Sequence, residues 1–214
     1  MERVTIKEAK SLFGNNFIGL DELKPLFKEM GLSYGNIQIP KIEYPYSELQ
    51  KYSYDYILIL GLPKLDNIQL SIQTFRRYFG VDADKSEPCF YNQDWYINED
   101  FINRTLDLQW YLLKKNVLED SRAVQPSELL KRNITFPSAI LCVYTFWAYY
   151  YAYHVMLWYH DFIWCDDVDH NEDRIYVGKY HDIAGVNKNG FSIHRHLALR
   201  KCYTAIDCFP VSKY

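Results

Sequence analysis

Apolar residues recur along this chain with two different periods, and the changes of period divide it into elements. At the N-terminus, Thr5-Ile6-Lys7-Glu8 has the spacing of a capping box, and Ala9, Leu12 and Phe13 make one apolar face before Gly14. A second helix is predicted over 21–30, ending at Gly31, with Pro25 near its first turns. Residues 33–53 read as an extended connector. The β-rich run 54–60 predicts a strand, closed by Gly61-Leu62-Pro63. Asp66 is placed to cap a helix over 67–79, with Ile68, Ile72, Phe75 and Phe79 on one side and Gly80 as its stop. Residues 81–107 lose all periodicity and read as a polar loop with scattered aromatics. A second strand is predicted at 108–114 and a short helix at 127–131, opened by Pro126. A long helix is predicted over 137–158. After it the period returns to two: strands at 161–165 and 174–180 flank the acidic turn DDVDHNED, and one strand or a pair covers 191–206.

The stretch 134–159 contains no Asp, Glu, Lys or Arg and is long enough to cross a bilayer. Six tyrosines within it (Tyr144, Tyr149, Tyr150, Tyr151, Tyr153 and Tyr159) argue for a protein interior, where a phenol buries its ring and finds a partner for its hydroxyl. No membrane span is therefore expected. The resulting fold class is α+β: a mostly antiparallel sheet packed on the aromatic helix, with residues 1–32 as a two-helix appendage, 33–214 as a single domain and the C-terminal sheet over 160–207.

The composition, 49% hydrophobic with 17% aromatic, is that of a globular protein, and a net charge of -3 gives no electrostatic case for nucleic acid. No GxxxxGK[ST] or GxSxG motif is present, so neither a phosphate-cradling loop nor a serine-hydrolase elbow is indicated. Five cysteines without a CxxC pair, and no apolar leader at the N-terminus, lead to an expectation of free thiols and a cytoplasmic location.

Chemistry-bearing residues concentrate late in the chain. All six histidines fall between His154 and His196, among Asp161, Asp166, Asp167, Asp169, Glu172, Asp173 and Asp182. Imidazoles and carboxylates together suit proton transfer or a borderline metal ion. Parity along FSIHRHLALR puts His194, His196 and Arg200 on one strand face, opposite Phe191, Ile193, Leu197 and Leu199. Histidines two apart in a strand project side by side at about 6.6 Å, so they can serve one metal or one anionic group. Trp164 and Asp167 join His194, His196 and Arg200 as candidate ligand-binding residues; His194, His196, Asp167 and Asp169 form the candidate metal set. In the hairpin turn, Asp167, Asp169, Asn171 and Asp173 alternate, but Glu172 stands where a calcium loop needs glycine.

The stretches 136–139 (FPSA), 163–167 (IWCDD), 175–177 (IYV) and 189–193 (NGFSI) resemble the helix start and strand motifs of bacterial C-type-lectin-like domains of the paralogous surface-protein type. The resemblance covers about 80 residues, with Cys165-Asp166-Asp167 where those domains carry a Ser-Ser pair. It implies a binding module and no catalytic residues. The functional expectation is a non-catalytic intracellular binding protein that uses its C-terminal sheet face and acidic hairpin, with a protein or small polar ligand as partner and the cofactor unknown. The alternative is a metal-dependent hydrolase or nuclease using the His and Asp residues of 154–196.

Overall fold

A computed structural model describes residues 4–180, 190–195 and 199–209. Its elements follow the sequence in the order α1 (Ile6–Phe13), β1 (Phe17–Ile18), α2 (Leu20–Glu29), α3 (Tyr46–Tyr52), β2 (Tyr56–Leu60), β3 (Lys64–Leu65), β4 (Ile68–Gln69), α4 (Ile72–Phe79), β5 (Trp110–Lys114), α5 (Pro126–Lys131), α6 (Ala139–Tyr153), β6 (Phe162–Val168), β7 (Arg174–Tyr180), β8 (Gly190–Arg195), β9 (Tyr203–Thr204) and β10 (Cys208–Phe209). The class is α+β. Among the described residues, one four-stranded sheet runs β1-β2-β5-β10 and a second runs β8-β7-β6-β9, with β3 and β4 forming a small separate hairpin. Each large sheet is antiparallel except at one pair, β1 with β2 and β6 with β9.

α6 stands at the centre. Every residue from Ala139 to Tyr149 is buried, so the helix is apolar on all sides, as a helix enclosed by other elements must be. Its rings reach both sheets. Tyr144 donates its hydroxyl to the Leu60 carbonyl of β2 at 3.2 Å and Tyr153 donates to the Phe17 carbonyl of β1 at 2.6 Å. On another side, Trp147 stacks on Phe79 and Phe90 and meets Phe191 of β8 edge-on. Among the described residues no helix is long and apolar enough to cross a membrane.

Several expectations change. The helix of 137–158 is shorter: Ser138 caps it, and it ends at His154, whose left-handed backbone (φ 56°) stops the hydrogen-bond ladder. Residues 66–67 do not open α4. Asp66 and Asn67 both take positive φ, the geometry of a tight hairpin turn between β3 and β4, and Ser71 caps α4 instead. The connector 33–53 contains α3. Among the described residues β8 covers Gly190–Arg195 beside β7, and the short β9 pairs instead with β6 in parallel. From residues 4–32, Ala9, Phe13, Leu23, Leu26 and Phe27 belong to the same core as α6, and β1 pairs with β2.

The segment after α4 is held against β8 by a close backbone approach. Phe191 N–H donates to the Cys89 carbonyl at 2.8 Å, and Tyr91 N–H donates to the Phe191 carbonyl at 2.9 Å. Gly190 permits this. Its φ is +144°, and a Cβ there would stand 2.4 Å from the Tyr91 nitrogen.

The five cysteines are free, with Cys89, Cys142, Cys165 and Cys208 buried and Cys202 partly exposed. Burial pushes the Cys89 thiol up to about 11 and raises Cys165 and Cys202 as well. At neutral pH the native protein should therefore lose at most one thiol, Cys202, to a fast alkylating reagent, and all five once unfolded without reductant. Rapid labelling of two or more in the native state would contradict this packing.

Candidate functional site

The β6–β7 hairpin and the irregular segment 93–104 together hold a cluster of charged and imidazole groups. Asp167, near the end of β6, points inward and is essentially buried. One carboxylate oxygen accepts the Ala139 N–H at the first turn of α6 (2.6 Å), and the other pairs with Arg104 (2.6 Å). A carboxylate at this helix end meets unpaired N–H groups and the positive end of the helix dipole. Burial raises its pKa, opposed by the Ala139 N–H and by Arg104. The neighbouring Asp166 lies outward. Desolvation of its carboxyl, helped by the Asp167 charge and opposed by Arg104 and Arg174, pushes its pKa up to about 6.

At the hairpin turn, Asp169 is also buried and fully engaged. Its Oδ1 accepts the N–H groups of Asn171 (2.8 Å) and Asp173 (2.9 Å), and its Oδ2 pairs with Arg195 of β8 at 3.2 Å. Burial works against ionisation here, but those backbone donors and Arg195 outweigh it and hold the pKa below the usual carboxylate value. His170 follows, with an exposed ring. Glu99, buried, reaches across from the irregular segment to accept the His170 backbone N–H at 3.0 Å and to meet the ring Nδ1 at 2.6 Å. Arg195 also lies over the Trp95 ring, and the Trp95 indole donates to the Ile193 carbonyl at 3.0 Å. Residues 93–104 thus clamp the hairpin from one side.

Glu99, Asp169 and His170 each bring one ligand-type atom within 4.8 Å of the others, the one such trio among the described residues. Both Glu99 oxygens already bond His170, and both Asp169 oxygens already bond donors, one of them a guanidinium. A divalent ion here would have to displace those donors and sit beside the Arg195 charge. The trio is better suited to locking the turn than to holding a cation.

Among the described residues, the candidates taken from the sequence fall into two groups, Trp164 and His194 on one sheet face and Asp167 and Asp169 at the hairpin. Trp164 is fully buried on the outer face of the second sheet, in a cluster with Phe162, Tyr176 and Tyr203. His194 belongs to that face too, stacked on Tyr176 (5.4 Å between ring centroids) and edge-on to Phe162. Over its described residues, the face expected to carry polar ligand groups packs into an aromatic cluster at His194, and Ser192 beside it is buried as well. The period-two reading missed this because Tyr176, Trp164 and Tyr203 come from neighbouring strands. Asp167 lies on the opposite face, against α6, so His194 and Asp167 cannot share a metal. Arg200 is exposed in the turn before β9. His196 lies outside the described residues. Asp169 alone of the candidate metal set joins a trio of ligand-type groups.

Gln93, Glu99 and Arg104 were not singled out in the sequence. They sit in an aperiodic polar stretch, and the one local signal was a run of acids and aromatics in 94–101 without the Gly and Pro of an ordinary loop. No family model, curated protein or solved structure matches this chain.

His194 carries a clear pH signature. Burial lowers its pKa from 6.5 to about 4, and its Nδ1 lies 3.1 Å from the Gln93 amide. The unfolded chain takes up the proton first, so stability should fall as pH drops from about 6.5 to about 4 and change no further on this account below that. His194→Phe, which keeps a ring on Tyr176, should flatten that part of the pH–stability curve in urea titrations. His194→Ala should cost about 1–3 kcal/mol at neutral pH. An Ala variant within about 0.5 kcal/mol of the parent would return His194 to the solvated ligand face expected from the sequence.

Proposed function

We propose that this chain is a non-catalytic intracellular binding protein that takes a basic protein segment on the outer side of its acidic hairpin. The observation that carries the reading is the division of the hairpin's acids. Asp167 and Asp169 are turned inward and satisfied, which fixes the backbone, while Asp166, Asn171 and Glu172 are exposed on that rigid support. Val168, an apolar residue 40% exposed between them, gives the surface a hydrophobic contact point. The similarity of 136–139 and of the strand motifs to C-type-lectin-like domains points the same way, since it implies a binding module.

The metal-dependent alternative keeps one observation in its favour, the Glu99, Asp169 and His170 trio. Metal analysis after extensive dialysis, with added Mn²⁺ and Zn²⁺ as probes, separates the two; a stoichiometric retained ion would favour the enzyme.

A fluorescein-labelled lysine-rich peptide supplies the direct test. Its affinity by anisotropy should drop several-fold in Asp166→Asn and in Glu172→Gln. It should also weaken as pH falls through about 6, where Asp166 takes up its proton and the surface loses a negative charge. Unchanged affinity in both variants would overturn the reading.

A further inference from the structure

A cleft beside the clamp carries the opposite charge to the hairpin. The cleft, of about 480 Å³, runs between α4 and the 96–102 stretch. Gln73, Arg76 and Arg77, spaced i, i+3 and i+4, form the outer face of α4, whose inner face (Ile72, Phe75 and Phe79) is buried in the core. Tyr96, Ile97 and Ile102 make the opposite wall, and no carboxylate lines the cleft. That volume lies within the range of small-molecule sites, and a mostly apolar wall with a few convergent polar groups is their usual chemistry.

The two arginines differ in their partners. Arg76 is held in place, its Nη2 donating to Asp94 at 2.6 Å and to the Gln93 carbonyl at 3.1 Å. Its Nε is buried with no hydrogen-bond partner. Arg77 is exposed and pairs with no carboxylate among the described residues, its guanidinium lying over the Tyr78 ring at 5.3 Å. Tyr96 is 1% exposed, and its hydroxyl likewise makes no hydrogen bond. The Arg76 guanidinium lies over the Tyr96 ring, 5.7 Å from its centroid, and its charge acts on that hydroxyl. A buried donor left unpaired is costly, and an arriving acceptor removes that cost.

We propose that this cleft is a binding site for a small organic anion, a phosphate or carboxylate carried on a compact apolar body. Arg77 supplies the uncompensated charge, the buried Arg76 Nε–H and the Tyr96 hydroxyl supply donors, and Ile97 and Ile102 cover the apolar part. Guanidinium groups suit such ligands because their fork of N–H donors matches the spacing of oxyanion oxygens. The site is separate from the hairpin surface and does not rest on the peptide-binding reading.

Calorimetric titration with phenyl phosphate, with benzoate as the carboxylate probe and phenol as the uncharged one, tests the assignment. Phenyl phosphate or benzoate should bind at one site and weaken as salt is raised, with phenol much weaker. Arg77→Gln, at an exposed position, should lower the affinity about tenfold while leaving the melting temperature unchanged. Tyr96→Phe, which removes a hydroxyl that bonds to nothing, should weaken binding without loss of stability. Asp166→Asn should leave this binding untouched whatever it does to the peptide. Absence of saturable binding through the millimolar range, equal affinity in Arg77→Gln, or phenol binding as tightly as the anions would each overturn the proposal.

Discussion

Burying α6 on every side creates an obligation at its first turn. A helix in solvent leaves its first N–H groups to water; one enclosed by two sheets and two helices must find acceptors inside the protein. Two side chains meet that demand. Ser138 Oγ accepts the Leu141 N–H at 3.3 Å, and Asp167 accepts the Ala139 N–H at 2.6 Å. The second of these comes from the far side of the chain, from β6, so the helix end and the hairpin are fixed to each other. The Asp166 N–H, donated to the Pro137 carbonyl at 3.0 Å, reinforces the same junction.

From that junction the rest of the candidate site follows. With Asp167 turned inward, the alternation of the strand and its bulge between Trp164 and Val168 send Asp166 outward and carry the chain into the turn at Asp169. The charge brought inside needs compensation, and the 93–104 segment supplies it with Arg104, while Arg195 of β8 serves Asp169. Buried carboxylates that would be costly alone become fixed points once each has donors. The stretch 93–104 thus joins three places: Glu99 and Arg104 hold the hairpin, Gln93 meets His194, and Tyr96 and Ile97 wall the cleft beside α4.

The sequence made the local elements legible wherever the cause was local. The Thr5 and Glu8 capping box, the strand in YDYILIL, Pro126 at the start of α5 and the β6–β7 hairpin all depend on residues within a few positions of one another. Errors arose where a distant partner decided the outcome. Asp66 has the chemistry of a helix cap, but the Asp66-Asn67 pair took the hairpin geometry and the Asp66 carboxylate accepts the Ser33 N–H at 2.7 Å. His194 alternates like a solvated strand residue, and only the neighbouring strands reveal that Tyr176 and Phe162 enclose it. Asp167 and Asp169 were recognised as chemically important, but from sequence a ligand carboxylate and a structural one look alike. Their partners, Arg104 at 63 positions away and Arg195 at 26, separate the two roles.

The central claim is that Asp167 is the inward anchor joining α6 to the hairpin. Urea denaturation of Asp167→Ala tests it most directly, with Glu172→Gln as the exposed control from the same hairpin. Loss of the carboxylate leaves the Ala139 N–H buried without an acceptor, so Asp167→Ala should lose about 1–3 kcal/mol or more, while the control stays within about 0.5 kcal/mol. An Asp167→Ala protein as stable as the control would contradict the account and return Asp167 to the role of a free ligand group.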